Sequence, residues 1–155
     1  MPSDPVVTQW RPAVKVLVHQ LIEAAAKERM GAPALVYKKD TVSYEALWDR
    51  VATKSREFLG LGIGPGDRIG IYLEKRIETV VSMFAAAAAG AVFVPINPLL
   101  RPHQVSYILR DCNVRILVTS QDRLDALTPE LIGCEDLRWV VAVGESPLQI
   151  GRAHV

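Results

Sequence analysis

A run of five alanines that leads through one glycine into a short apolar segment constrains the fold of this chain more than any other feature. Ala85–Ala89 favours a helix, and its small side chains would let that helix approach a sheet closely. Gly90 suits the end of the helix, because glycine readily adopts the left-handed backbone found there. Val92–Val94 then predicts a buried strand, and we expect Pro95–Pro98 to form a rigid exit that continues neither helix nor strand.

The same region has the length of a membrane span. Residues 79–100 are uncharged over 22 positions, and about 20 apolar residues suffice to cross a bilayer as a helix. However, Pro95, Asn97 and Pro98 would break the helix and leave polar groups in lipid. We therefore expect no membrane span here.

Helices alternate with short β-branched strands along the rest of the sequence, which is the pattern of parallel sheets with crossover helices. We predict an α/β fold with a mostly parallel sheet, flanking helices and no second-domain boundary. The predicted helices cover 14–29, 44–59, 77–89, a segment from 102 onwards and 122–131. The predicted strands cover 34–37 and 41–43 as a hairpin, then 68–73, 92–94, 115–119 and 137–143.

Short local signals mark several ends of these elements. Ser43 is suited to cap the helix that follows it, and Pro102 suits the first turn of a helix. Four glycines within 60–66 raise the possibility of a nucleotide loop. That segment follows a helix and precedes a strand, whereas the dinucleotide motif requires the reverse order. We expect instead a turn over Gly64–Asp67.

Composition excludes several classes of function. Hydrophobic residues make up 50% of the chain and charged residues 23%, with a net charge of +1. Neither disorder nor a nucleic-acid footprint is indicated. The two cysteines, Cys112 and Cys134, lie in no metal-binding or disulfide pattern, so we expect small buried hydrophobic residues. Because Met1–Val7 lacks the features of a signal peptide, we expect a cytoplasmic location.

A few polar and aromatic residues are candidates for a functional site. Glu74–Arg76 follows a strand at its carboxyl end, where ligands bind to open α/β sheets, but a solvated helix start explains it more simply. His103 is predicted to be a surface histidine, and Tyr72 and Trp48 to be core aromatics. We assign no catalytic, cofactor-binding or metal-binding residue in this chain.

Several motifs, in a fixed order, resemble the adenylate-forming enzymes, the superfamily of acyl-CoA synthetases and AMP-binding ligases. Residues 90–98 (GAVFVPINP) resemble the family segment in which a helix ending A-A-G-A enters a strand closing V-P-[IL]-[ND]-P. Residues 33–47 resemble its opening motif, with departures at Val42 and Ala46. Residues 61–69 and 104–111 resemble two further family segments, and the resemblance extends over 17–144. Residues 95–100 and 108–115 look most like acyl-CoA ligases associated with bacterial exosortase loci.

The resemblance implies an incomplete N-terminal subdomain of the adenylate-forming fold. We expect residues 13–148 to be a partial AMP-binding domain. Residues 149–155 (QIGRAHV) resemble a translated sequencing adapter, so we expect a non-native tail there. The family's glycine-rich phosphate loop has no counterpart in the sequence. Thr119–Ser120 lacks the required glycines and is expected to close a strand.

For the full-length parent, the resemblance implies ATP, Mg and CoA, with a small carboxylic acid as the substrate. The acid would be activated as an acyl adenylate and passed to CoA. We expect the 155-residue chain alone to bind none of these and to be inactive. Two alternatives stay open: an adenylating enzyme that loads a carrier protein, and a short non-catalytic binding module. The sequence specifies neither the acid, nor the acyl acceptor, nor the oligomeric state.

Overall fold

The computed structural model describes residues 16–143 and 148–149, in which helices and strands alternate. The helices are α1 (Val18–Glu28), α2 (Tyr44–Gly60), α3 (Ile77–Ala88), α4 (Pro102–Asp111) and α5 (Gln121–Leu127), and a 3₁₀ helix (Thr128–Gly133) follows α5. The strands are β1 (Pro33–Tyr37), β2 (Asp40–Ser43), β3 (Arg68–Tyr72), β4 (Val92–Pro95), β5 (Val114–Thr119), β6 (Trp139–Ala142) and β7 (Leu148–Gln149).

Five strands form the main sheet in the order β4-β3-β5-β6-β7. The first four run parallel, and β7 pairs antiparallel with β6. The hairpin of β1 and β2 forms a separate two-stranded sheet. The predicted α/β fold with a mostly parallel sheet and flanking helices is confirmed.

Two apolar clusters cover the two faces of the sheet. On the first face, α2 and α3 pack over residues of β3, β5 and β6 that include Ile69, Ile116 and Val141. On the second face, α4, α5 and the 3₁₀ helix pack over the alternate residues, including Leu117 and Val140. The strands therefore lie between two helical layers, which explains why their sequences are apolar on both faces.

The local signals read from the sequence are found where they were expected. The Ser43 hydroxyl accepts a hydrogen bond from the Ala46 backbone N–H at 3.2 Å, which caps α2. Pro102 is the first residue of α4. Asp67 N–H donates to the Gly64 carbonyl at 3.1 Å and closes the predicted turn. Gly90 ends α3 with a φ of +79°, a conformation that glycine adopts at no steric cost.

Three elements differ from the sequence prediction by more than one residue at an end. The first helix begins at Val18, and residues 16 and 17 are not helical, while the predicted positions 14 and 15 lie outside the described residues. The helix predicted over 122–131 ends at Leu127 and tightens into a 3₁₀ helix, because Pro129 lacks the N–H of an α-helical hydrogen bond. The strand predicted over 137–143 covers only Trp139–Ala142.

The prediction that Pro95 continues no strand was wrong. Pro95 is the last residue of β4 and is the register partner of Ile71. Val92 N–H donates to the Asp67 carbonyl and Ile96 N–H donates to the Ile71 carbonyl, so the backbone groups of these even-numbered residues face β3. Because backbone groups alternate along a strand, those of the odd-numbered residues between them face away from β3. Pro95 occupies such an outward position, where the missing N–H removes no ladder hydrogen bond.

The strand predicted over Val92–Val94 is present as part of β4, but the expectation that it is buried was wrong. β4 is the edge of the described sheet, and its first and last residues are exposed. A strand paired on one side only leaves a row of backbone groups unpaired.

The 13–148 and 149–155 segments predicted from the sequence are only partly visible. Leu148 and Gln149 form β7, with Gln149 opposite Trp139. Residues 13–15, 144–147 and 150–155 lie outside the described residues, as does Met1–Val7. None of the helices in the described part of the chain has both the length and the hydropathy of a membrane span.

Candidate functional site

The strand order places a switch point between β3 and β5. The chain leaves β3 into α3, which covers the first face, and it leaves β5 into α5, which covers the second. Since these connections diverge, a crevice opens outside the carboxyl ends of the two neighbouring strands. Ligands of open α/β sheets bind at such a point. The last residues of the two strands, Tyr72 in β3 and Thr119 in β5, lie at these ends, followed by residues 73–74 and by Ser120.

Four charged side chains meet at this crevice. Arg76 Nε donates to Glu78 Oε2 at 2.7 Å, and its Nη1 lies 3.4 Å from Glu74 Oε1. Arg123, in α5, approaches the other oxygen of Glu74 with its Nε at 3.3 Å. Two guanidinium groups and two carboxylates balance, so the cluster presents no excess charge to a ligand.

Hydrogen bonds within the cluster stabilise its ionised form. The pKa of Glu78 is lowered because Arg76 donates to its carboxylate, and the pKa of Arg76 is raised by the same contact. The pKa of Glu74 is lowered, first by a hydrogen bond from its own backbone N–H and then by Arg123, while partial burial opposes this. Both carboxyl groups therefore stay ionised to a lower pH than usual.

The loop after β4 forms one wall of the crevice. Tyr72 is buried, and its hydroxyl donates to the Leu100 carbonyl at 2.8 Å. Arg123 Nη1 donates to the Pro98 carbonyl, also at 2.8 Å. Thr119 Oγ1 donates to the Tyr72 carbonyl at 3.0 Å, which joins the ends of β3 and β5. The crevice is thus built largely from side-chain contacts to backbone carbonyls.

A groove of about 620 Å³ adjoins the crevice on the first face of the sheet. Its floor is apolar and includes Val118, Val141 and Val143, and Arg76 and Glu78 stand at one end. The exposed side of α2 forms the opposite wall. Val118 and Val141 are each only 1% exposed, so the apolar floor lies deep in the groove.

The other residues singled out in the sequence lie away from the crevice. His103 is exposed on α4, and Trp48 is half-buried on α2 against the first apolar cluster. Both cysteines are free, and Cys134 is buried, which raises the pKa of its thiol. Thr119 closes β5 as predicted, and Ser120 precedes α5. Glu74 and Arg76 face the crevice, but as members of an ion-paired network.

Sequence reasoning missed Arg123. It lies four residues beyond the end of β5, inside the helix predicted over 122–131. Its proximity to Glu74, Tyr72 and Pro98 depends on the pairing of β3 with β5, which no local pattern encodes. A basic residue in the first turn after a buried strand was the available signal.

The sequence profile described as AMP-binding enzyme matches residues 22–151. Malpibaldin synthetase of Mortierella alpina is 35% identical over 104 residues, which are 67% of this chain and 2% of that protein. Surfactin synthase subunit 1 of Bacillus subtilis (strain 168) is 31% identical over 128 residues, or 81% of this chain and 4% of the relative. The chain thus spans a small fraction of these relatives.

Solved structures share the fold. The anthranilate CoA ligase AuaEII, crystallised in complex with anthranoyl-AMP, superposes with a TM-score of 0.79 at 26% identity. The superposition covers 83% of this chain and 25% of the ligase. The fatty acyl CoA synthetase of Mycobacterium tuberculosis gives a TM-score of 0.75 at 21% identity, over 81% of this chain and 26% of that protein, a likeness of fold alone.

Proposed function

The chain belongs to the AMP-binding enzyme family, and from that premise we propose that it forms the N-terminal part of an enzyme that activates a carboxylic acid with ATP. The observation that carries the proposal is the family match over residues 22–151. It is supported by the likeness of the fold to a ligase solved with an acyl adenylate, at a TM-score of 0.79.

The proposed reaction makes a poor electrophile reactive. A carboxylate oxygen attacks the α-phosphorus of ATP, the bond to the bridging oxygen breaks, and pyrophosphate leaves. The resulting acyl adenylate is a mixed anhydride, so a thiol can displace AMP from the acyl carbon and form a thioester. The two steps divide one difficult acyl transfer into two easier ones.

We propose CoA as the thiol acceptor. The likeness to an anthranilate CoA ligase at 26% identity supports this acceptor. The finer placement among acyl-CoA ligases of exosortase loci is part of the same proposal and is supported by residues 95–100 and 108–115. Fatty acids are one class of substrate to test. A cytoplasmic location is proposed from the sequence alone.

A carrier-protein thiol is the second candidate acceptor. Malpibaldin synthetase aligns over 104 residues that make up only 2% of its length, so the matching unit is a small part of a very long protein. An adenylating unit within so long a chain could deliver its acyl group to another part of the same polypeptide. A carrier-protein thiol is therefore the alternative to CoA.

The described residues do not fit a Mg²⁺–ATP site. Within 16–143 and 148–149, no group of three or more His, Cys, Asp or Glu side chains could hold a metal ion. The sequence contains no glycine-rich loop whose backbone N–H groups could surround phosphates. The arginines of the crevice are already engaged by Glu74 and Glu78. We assign no nucleotide contact to this chain.

It follows that the 155-residue chain alone should not adenylate an acid, because the donors that stabilise a transferring phosphoryl group are missing. The purified chain, mixed with ATP, labelled pyrophosphate and a panel of carboxylic acids, should give the exchange rate of a protein-free blank. Acid-dependent exchange above the blank would contradict this expectation.

The proposed function itself is tested on the polypeptide encoded at the source locus, with the same exchange assay. Acid-dependent exchange supports adenylation, and omission of the acid is the control. The acceptor is then identified by adding CoA or a phosphopantetheinylated carrier protein and measuring the thioester by mass spectrometry. Absence of exchange with every acid would overturn adenylation and favour a non-catalytic binding module.

A further inference from the structure

Arg123 connects three parts of the crevice at once. Its Nη1 donates to the Pro98 carbonyl at 2.8 Å, and its Nε lies 3.3 Å from Glu74 Oε2. Its guanidinium carbon is 4.8 Å from the centroid of the Tyr72 ring. The Arg123 side chain is only 22% exposed. One side chain of α5 therefore contacts the end of β3 and the segment after β4.

The segment 97–100, here called the wall loop, is held at a second point by Tyr72. The Tyr72 hydroxyl donates to the Leu100 carbonyl at 2.8 Å. Within the loop, Leu99 N–H donates to Asn97 Oδ1 at 3.0 Å, and Leu100 N–H donates to the Asn97 carbonyl at 3.1 Å. These internal bonds are short-range and would not by themselves fix the loop against the sheet.

We propose that Arg123 is a positioning residue that sets the conformation of the wall loop beside the β3–β5 switch point. Removing its side chain should let the loop open as a local unit while the sheet stays folded. The inference concerns the equilibrium of the loop itself, so it does not depend on the proposed adenylation chemistry. A ligand that enters the crevice would contact the wall loop in the conformation that Arg123 of α5 sets.

The contact with Glu74 does not explain this arrangement. The Glu74 side chain is 45% exposed and its distance to Arg123 is 3.3 Å, and exposed ion pairs contribute little to stability. The contacts to the Pro98 carbonyl and the Tyr72 ring need the planar guanidinium instead. A lysine would keep the charge but could not donate in a fixed fork while lying flat over a ring.

The test compares amide hydrogen exchange in the full 155-residue chain and in Arg123→Gln, measured residue by residue by NMR. The Leu100 amide reports on the wall loop, and the Ile96 amide, which donates to the Ile71 carbonyl at 2.9 Å, reports on the sheet. Losing a charge-assisted hydrogen bond should speed exchange of the Leu100 amide about 10- to 100-fold. Exchange at Ile96 should change only as much as the global stability, measured by urea unfolding, changes.

Arg123→Lys separates charge from shape. It retains the positive charge beside Glu74, so we expect the Glu74 contact to survive while the Leu100 amide still exchanges faster than in the parent chain. If Arg123→Gln does not fold, Arg123→Lys still tests the proposal. Parent-like exchange at Leu100 in Arg123→Lys would show that charge alone holds the loop and would overturn the positioning role of the guanidinium.

Arg115→Gln is the matched control. Arg115 Nε forms an ion pair with Asp67 Oδ1 at 2.8 Å, and its side chain is 32% exposed, but it lies near the amino ends of the strands. Its loss should leave the difference between Leu100 and Ile96 unchanged. Equal acceleration of Leu100 in Arg115→Gln and Arg123→Gln, or equal acceleration of Leu100 and Ile96 in Arg123→Gln, would overturn the proposal.

A double-mutant cycle of Arg123→Gln with Tyr72→Phe tests whether the Arg123 and Tyr72 contacts to the wall loop are coupled. Tyr72→Phe removes the hydroxyl bond to Leu100 and keeps the ring beneath Arg123. If both side chains hold one loop, the combined acceleration of Leu100 exchange should differ from the product of the two single effects. A product of independent effects would show two separate contacts and contradict a single positioned unit.

Discussion

Gly70, in β3, lies where the side chain of Leu109 in α4 packs closely against the sheet. A Cβ at this position would lie 3.2 Å from both Leu109 Cδ2 and Val114 Cγ1, and 3.4 Å from Ile96 Cδ1. All three neighbours are buried, so they have little room to move away. A single hydrogen in place of a methyl group is therefore what allows α4 to lie flat on β3 and β5.

Gly70→Ala should destabilise the chain. Overpacking a filled core costs about 1–3 kcal/mol, and urea unfolding should show a lower midpoint with an unchanged slope. Gly60→Ala is the control, because a Cβ at Gly60 meets no atom within 4 Å. That change should be neutral or stabilise by up to about 1 kcal/mol, since alanine favours helix more than glycine does. Equal effects at the two positions would contradict the packing argument.

Asn113 connects α4 to β5 in a left-handed conformation, with a φ of +49°. Its Nδ2 donates to Asp136 Oδ2 at 2.8 Å, and its Oδ1 accepts from Arg68 at 3.2 Å. Asparagine tolerates this backbone better than most residues do and here also bridges two segments.

Two substitutions separate these contributions. Asn113→Gly keeps the backbone conformation, loses the side-chain bonds and adds about 0.5–1 kcal/mol of unfolded-chain entropy. Asn113→Ala loses the same bonds and adds about 1–2 kcal/mol of backbone strain. The free energy of unfolding should therefore fall in the order parent, glycine variant, alanine variant. An alanine variant as stable as the glycine variant would show that the conformation is not strained.

A pH-sensitive ion pair lies at the crevice, where the chain passes from β3 into α3. Arg76, which precedes α3, donates to Glu78 in its first turn and lowers the pKa of that carboxyl below its ordinary value of 4.5. A lowered folded pKa adds stability that is present above pH 4.5 and is lost as the pH falls through the folded value.

Arg76→Gln should therefore reduce stability at neutral pH and have a smaller effect below the folded pKa of Glu78. The Glu78 side chain is 44% exposed, so solvent screening keeps the contribution to about 1 kcal/mol or less. Urea unfolding at pH 7 and at a pH well below 4.5 measures the difference. Arg56→Gln, an exposed site with no carboxylate partner among the described residues, should show no such pH dependence.

Elements with local signals were predicted well from the sequence, and those that depend on a partner strand were not. The β1–β2 hairpin, the cap at Ser43 and the start of α4 at Pro102 follow from a few adjacent residues. Pro95 was misjudged because its role depends on which side of β4 faces β3. The short strand β7 was missed because two residues carry no periodicity, and only pairing with β6 defines it.

The whole molecule carries an exposed apolar surface along α1 and the β4 edge. The residues are 47–59% exposed; they are Val16, Leu17, Val18, Leu21 and Val92. β4 pairs on one side only in the described sheet. An unpaired edge beside exposed apolar side chains promotes association between chains.

Val92→Lys should lower self-association, because a charge on an edge strand opposes edge-to-edge pairing. Sedimentation velocity over a range of concentrations should show a smaller oligomeric fraction than in the parent chain. Ile132→Lys is the control: Ile132 is 89% exposed, but it lies in the 3₁₀ helix, which packs on the second face of the sheet and away from the β4 edge. If both lysine substitutions lower the oligomeric fraction equally, net charge controls association and the β4 edge does not.

The α/β class and the strands that flank the crevice could be predicted from the alternation of helices and strands in the sequence, but the crevice could not. It exists because β3 and β5 are neighbours although β4 separates them in sequence. Glu74 was noticed through its place after a strand. Its partner Arg123 lies 49 residues away and could be found only once the strand order was known.

The two thiols differ in accessibility, so their alkylation can report on the conformation of the chain. Cys112 is partly open at the end of α4, whereas Cys134 is buried and its pKa is raised by burial. Because a thiol is alkylated as its thiolate, the first adduct in an intact mass spectrum reports on the native surface. The second adduct appears only when the 3₁₀ helix separates from α4. The delay between the first and the second alkylation thus measures how fast the second face opens, and it requires no introduced label.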